Sequence, residues 1–257
     1  KKLCDITVTA TDETNTSLQL FALKNLSEEA MDATLRVSTH TYKKATPKMG
    51  EYARLKGKNI WMSETDWSST SGETDGEMGP AIWLSEKIIE DLNTISPSAW
   101  VIWQIVASYI SRVPDSKGRL DMPGIPDLTK GYWGCAFADI DKQEIYLSQK
   151  YYAFGQFSRY IRPGMTLVHT QSDHAIAAYD KKTDKTVIVA VNPKMKARKR
   201  NYIFEHSSLE GKTVKAVRTS GSLSQGEHWA ETESFTAKGN CLSARLEPNS
   251  ITTFIIE

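Results

Sequence analysis

Trp61-Met62-Ser63-Glu64-Thr65 is the stretch of this chain best equipped for chemistry. The run Asn59-Ile60-Trp61-Met62-Ser63 reads as a short apolar strand that delivers one carboxylate, Glu64, into small polar residues. A carboxylate at a strand end beside aromatic rings can attack the anomeric carbon of a sugar or carry a proton. Under strict alternation Ile60, Met62 and Glu64 share a face, which extends an interior row to the strand's C-terminal rim. A solvated strand end has the same few residues, so the surroundings of Glu64 decide its meaning.

Several other groups are candidates for those surroundings. His40 shares a strand face with Arg36 and Ser38, opposite Leu35, Val37 and Thr39. His40 and Tyr42 would then reach the same rim and bond to sugar hydroxyls or to the carboxylate. Trp103 offers a platform for the apolar face of a sugar, and Gln104 an amide for its hydroxyls. Neighbours on a regular strand point to opposite faces, so both reach one cleft only through a bulge. Trp67 is either a second platform or loop packing. Asp12 and Glu13 close the first strand; capping the next helix is their expected role, and service as a substitute acid the alternative.

Positioning such groups takes several strands ending on one rim. Residues 6–10, 35–39, 59–63 and 100–105 read as strands. Helical patterns lie between them at 16–24, at 47–55 and along Ala81, Leu84, Ile88, Leu92 and Ile95, an amphipathic stripe opened by Pro80. This alternation predicts parallel pairing with helical crossovers. Proline and glycine then mark a loop over 114–131, and 133–139 with 143–147 reads as a hairpin about Asp141-Lys142. Ser148 caps a helix whose Tyr151, Phe154, Phe157 and Tyr160 are expected in the core, stopped by Arg162-Pro163-Gly164. Beyond Met165, strands such as 175–179, 186–191, 202–205, 214–219 and 251–256 recur at the spacing of a β-sandwich. The plan is α/β over 1–112, a connecting loop, hairpin and helix over 113–164, and all-β over 165–257.

A formal net charge of +1 over 257 residues gives no overall field for nucleic acid or an anionic membrane. The basic run from Lys194 to Arg200 follows Asn192-Pro193, as a solvated hairpin tip would. Cys4, Cys135 and Cys241 lack Cys-x-x-Cys spacing, and His169, His174, His206 and His228 lack metal spacing. Neither a metal nor a disulfide framework is expected. Nothing has the form of a signal peptide or the roughly 20 apolar residues of a membrane span.

Trp61 to Thr65, Val101-Ile102-Trp103-Gln104 and the run Tyr151-Tyr152-Ala153-Phe154-Gly155-Gln156-Phe157-Ser158-Arg159-Tyr160-Ile161-Arg162-Pro163-Gly164 together resemble glycoside hydrolase family 30. Thr39-His40-Thr41-Tyr42 is similar to the end of that family's sixth barrel strand. The resemblance implies the C-terminal half of a (β/α)8 TIM barrel followed by a β-sandwich. It implies a retaining, endo-acting O-glycosyl hydrolase of β-linked polysaccharide, β-1,6-galactan-like or xylan-like, with loops closer to the endo-β-1,6-galactanase-like branch. Glu64 is then the nucleophile, with His40, Tyr42, Trp67, Trp103 and Gln104 binding substrate. No cofactor is implied, and the protein is expected to be secreted or extracellular. The family's acid/base glutamate sits in an Asn-Glu-Pro-like turn after the fourth strand, and these residues contain no such turn. The expected partners are a polysaccharide or oligosaccharide, and the missing N-terminal barrel half or another copy of the chain. The rival expectation is a catalytically silent fragment or a carbohydrate-binding module, told apart by a second carboxylate within reach of Glu64.

Overall fold

The computed structural model describes residues 6–66, 78–110, 134–139 and 142–257. Two compact units divide the chain: Lys1–Trp67 with Glu90–Gln104, and Ser68–Ile89 with Ile105–Glu257. The first is built on β1 (Val8–Glu13), β2 (Thr34–His40), β3 (Asn59–Glu64) and β4 (Ala99–Trp100), paired in that order and all parallel. Parallel neighbours need crossovers. In chain order these are α1 (Thr16–Lys24) with α2 (Glu28–Ala33), then α3 (Pro47–Leu55), then α4 (Met78–Ile95). Asn15 caps α1 by accepting from the Ser17 and Leu18 N–H groups, so neither Asp12 nor Glu13 takes the capping role expected of it.

Helix residues Leu23, Met31, Met49, Ala53 and Ile95 pack against Val37 and Ile60 of the sheet. Trp61 lies on the opposite face, its ring 4.0 Å from the Arg36 guanidinium. Ile60 and the fully buried Met62 therefore belong to the helix side, which corrects the row that joined them to Glu64. The cause is a slip in the pairing: Thr39 stands opposite Met62 but His40 opposite Glu64, leaving Ser63 unpaired. One extra residue inverts the faces beyond it and carries Glu64 to the side of His40. The fourth strand is also shorter than the expected 100–105. Only Ala99–Trp100 pairs, and the Val101 and Trp103 N–H groups continue alongside by bonding to Met62 and Thr65 carbonyls at 2.8 and 3.0 Å.

In the second unit β5 (Val106–Ile110), β6 (Ala136–Asp139) and β7 (Glu144–Leu147) form one sheet. β6 and β7 make the expected antiparallel hairpin, and β5 joins it in parallel, which the sequence did not suggest. Trp133, Asp141 and the loop over 114–131 lie outside the described residues. α5 (Gln149–Ser158) follows, then β8 (Thr166–Val168), β9 (Ala175–Asp180), β10 (Lys185–Asn192), β11 (Arg198–Ile203), β12 (Thr213–Ser220), β13 (Glu227–Thr236), β14 (Cys241–Leu246) and β15 (Ser250–Ile256). Six of these pair in the order β13-β12-β15-β10-β9-β8, while β11 pairs with β14. Ala177, Ile188, Ala216 and Phe254 of the larger sheet share a core with Leu242, Ala244 and Leu246 of the smaller.

The basic run is not a hairpin tip. It carries the chain from β10 to β11 in a different sheet, and Arg198, Lys199 and Arg200 lie within β11. Buried Asn192 shapes the crossing: its amide donates to the Lys196 and Glu247 carbonyls at 2.9 and 2.7 Å, and its oxygen accepts from Lys194 N–H. The α5 core is also more polar than expected. Of its four aromatics only Phe157 is fully buried, whereas Gln156 bridges two strands. Its Nε2 donates to Thr219 Oγ1 at 2.8 Å and its Oε1 accepts from Thr253 Oγ1 at 2.6 Å.

Candidate active site

The bulge at Ser63 places Glu64 at the C-terminal rim of the parallel sheet beside the ends of β1 and β2. Tyr42 donates its hydroxyl to Glu64 Oε1 at 2.7 Å. His40 lies between two carboxylates, with Nδ1 3.4 Å from Glu64 Oε1 and Nε2 3.4 Å from Asp12 Oδ1. Both contacts are longer than well-formed hydrogen bonds, and buried Nδ1 makes no hydrogen bond among the described residues. The His40 and Tyr42 rings meet edge to face, 5.8 Å apart. Ser63 donates its hydroxyl to Asp12 Oδ1, with the Thr39 carbonyl 3.1 Å away.

Burial pushes the Tyr42 phenol far above its usual range, and the hydrogen bond to Glu64 and the negative charges of Glu64 and Asp66 add to this. Tyr42 is therefore a proton-bearing donor at any ordinary pH, and the lone pairs of Glu64 are what it engages. Behind the rim, buried Asp91 of α4 accepts from Thr41 Oγ1 at 2.7 Å and from Trp100 Nε1 at 2.9 Å. Thr41 sits between His40 and Tyr42, so this carboxylate pins the segment that carries both.

Of the residues singled out in the sequence, Glu64, His40 and Tyr42 come together. Trp103 is tied to the segment after Glu64 through its backbone bond to Thr65, and the residue is 45% exposed. Gln104 is exposed beside it. Trp67 lies outside the described residues. Sequence reasoning missed Asp91 and Ser63, whereas Asp12 stands beside His40 and Ser63 on the rim near Glu64, the place that the alternative to its capping role required. Asp91 carried a signal, because it falls three residues after Ile88 and four before Ile95, a charge on an apolar stripe. Ser63 carried none, its partner Asp12 being 51 residues away. No group of three or more His, Cys, Asp or Glu among the described residues could hold a metal ion.

No family model matches the sequence. It is 25% identical to an endo-beta-1,6-galactanase of Hypocrea rufa over 189 residues, which are 72% of this chain and 33% of that protein. It is 24% identical to the glucuronoxylanase XynC of Bacillus subtilis strain 168, covering 78% of this chain and 40% of that one. A family 30 endoxylanase from Clostridium papyrosolvens superposes over 98% of this chain and 56% of its own, with TM-score 0.70 and 20% identity. The chain is glycoside hydrolase family 30-like, and it spans between a third and two fifths of the length of these curated relatives. No described helix is long and apolar enough to cross a membrane, which says nothing of a β-barrel.

Proposed function

We propose that this chain carries the nucleophile side of a retaining, endo-acting hydrolase of β-linked polysaccharide, galactan or xylan, with Glu64 as the nucleophile. The observation that carries the reading is the Tyr42 hydroxyl 2.7 Å from Glu64 Oε1. The pair sits at the C-terminal ends of parallel strands, where barrel enzymes keep their chemistry. The galactanase and glucuronoxylanase names of the relatives support the substrate class. In this reading Glu64 attacks the anomeric carbon, the glycosidic C–O bond breaks as the leaving oxygen takes a proton, and water then hydrolyses the glycosyl ester with net retention. Tyr42 fixes the attacking carboxylate, and His40, Trp67, Trp103 and Gln104 hold the sugar.

The architecture belongs to the same proposal. The four parallel strands are half of a (β/α)8 barrel within residues 1–112, whose closure takes about eight strands. The segment 113–164 connects it to a β-sandwich over 165–257. The other barrel half, from a further segment or another copy, then brings the acid/base carboxyl. Polysaccharide too large to enter a cell sets the place of action outside it. Glycan binding without turnover is the second reading, favoured by Asp12 being engaged with Ser63 and His40.

A 2-deoxy-2-fluoroglycoside trap followed by peptide mass mapping tests this in the complete enzyme. The label is expected on the peptide containing Glu64 and lost in Glu64→Gln. Label on another carboxylate, or inversion of the product anomer, refutes the assignment.

A further inference from the structure

We propose that Asp12 contacts substrate, accepting a hydroxyl of a neutral sugar bound beside Glu64; this rests on the glycosidase reading of Glu64. The backbone is the first argument. The β1–β2 pairing jumps from Thr11 opposite Ser38 to Glu13 opposite Thr39, so Asp12 is bulged out of the ladder. Its φ is +72°, a left-handed conformation that Asp and Asn tolerate best among residues with a side chain. Such backbone persists where the surroundings hold it, and it concentrates at binding sites.

The side chain is the second argument. Asp12 does not cap α1, because Asn15 does. Its Oδ1 is instead bonded by Ser63, the neighbour of Glu64, and lies 3.4 Å from His40 Nε2. Half of the side chain remains open to solvent. Exposed contacts of this kind add little to stability, so stability alone does not explain the tether. A carboxylate offers about four lone-pair sites. With one oxygen engaged by protein, acceptor capacity remains on the open side.

The partner's chemistry follows from the charges. An acceptor-only group takes a hydroxyl hydrogen. Asp12 and Glu64 at opposite nitrogens of His40 put two carboxylates around that position, which repels a uronate carboxylate there. The sugar beside Glu64 is therefore neutral and hydroxyl-bearing.

Calorimetric titration of the complete enzyme with β-1,6-galacto-, β-1,4-xylo- and uronate-substituted xylo-oligosaccharides tests this in the Glu64→Gln background, which removes turnover. Asp12→Asn keeps the left-handed backbone and an acceptor for Ser63, and removes the charge. Binding of a neutral oligosaccharide should weaken by about tenfold or more with Asp12→Asn. Ser63→Ala, which cuts the tether and spares the carboxylate, should weaken it severalfold. The uronate arm should gain relative to the neutral one in Asp12→Asn. Unchanged affinity in Asp12→Asn overturns the proposal and leaves the glycosidase reading standing. A lowered melting temperature with unchanged affinity makes Asp12 structural and overturns it equally. If the complete enzyme carrying Glu64→Gln binds none of the three sugars, both readings fall.

Discussion

Gly155→Ala is a small change with a large expected effect. A Cβ built at Gly155 falls 2.2 Å from Trp229 Cζ2, 2.6 Å from Cε2 and 2.7 Å from Nε1. The indole is half-buried but held by several contacts at once. Its Nε1 donates to the Tyr152 carbonyl at 2.7 Å, the Arg159 guanidinium lies 4.2 Å from its ring, and Tyr151 and Tyr152 pack at 5.5 and 5.1 Å. Overpacking costs about 1–3 kcal/mol. Displacing the indole breaks its hydrogen bond, about 1–3 kcal/mol more where the partner stays dry. Alanine returns up to about 1 kcal/mol through helix propensity. The net is about 3 kcal/mol of destabilisation, or roughly 6–12 °C in melting temperature for a unit of this size. Gly79, in the first turn of α4, is the matched control, because a Cβ there meets nothing within 4 Å. Gly79→Ala should shift stability by no more than about 1 kcal/mol, the gain in helix propensity being offset by crowding of its Cβ against the Pro80 ring. Thermal unfolding followed by tryptophan fluorescence and circular dichroism reads both. Shifts of equal size, or a Gly155→Ala midpoint within about 1 °C of the parent, would refute the packing argument.

Two further outcomes are expected. Burial pushes Tyr202 up to about 12, so above about pH 10 the unfolded chain releases a proton that the folded chain keeps. This contribution is intact below pH 10 and is lost as pH rises towards 12, by at most about 1.4 kcal/mol per pH unit. Tyr202→Phe should therefore flatten the alkaline limb of urea midpoints measured between pH 9 and 11.5; an unchanged slope would assign that limb to other groups. Tyr42→Phe in the complete enzyme removes a hydrogen bond to a charged group, worth about 1.5–3 kcal/mol. A roughly ten- to hundredfold loss in kcat is expected with KM little changed, and full activity would mean that Tyr42 does not hold the nucleophile.

Where local chemistry dictates structure, the sequence was legible. α1 and α3 occupy the residues their spacing predicted, because Asn15 and Pro47 set their starts and apolar residues recur at helical period. The parallel sheet followed from strand and helix alternating. The facing of β3 did not follow. Alternation is a property of one strand, whereas the bulge at Ser63 is a property of two, decided by how Thr39 and His40 align across a helix-length gap. The same holds for Asp12, bulged against β2, and for β5, which is a strand only because β6 lies beside it.

The long motif from Tyr151 to Gly164 illustrates a second limit. It is recognisable because packing fixes many of its positions at once. Gly155 admits the indole, Gln156 ties β12 to β15, Arg159 covers Trp229, and Gly164 turns at φ +96°. None of those contacts touches Glu64. The candidate site depends instead on a few atoms delivered by three strand ends, and a displacement of about 1 Å in any of them would cost far more activity than stability. Likeness in the helix therefore speaks for a shared fold, and the proposed catalytic role rests on the short bond between Tyr42 and Glu64. A relative that kept the helix but lacked that tyrosine would share the architecture without the chemistry.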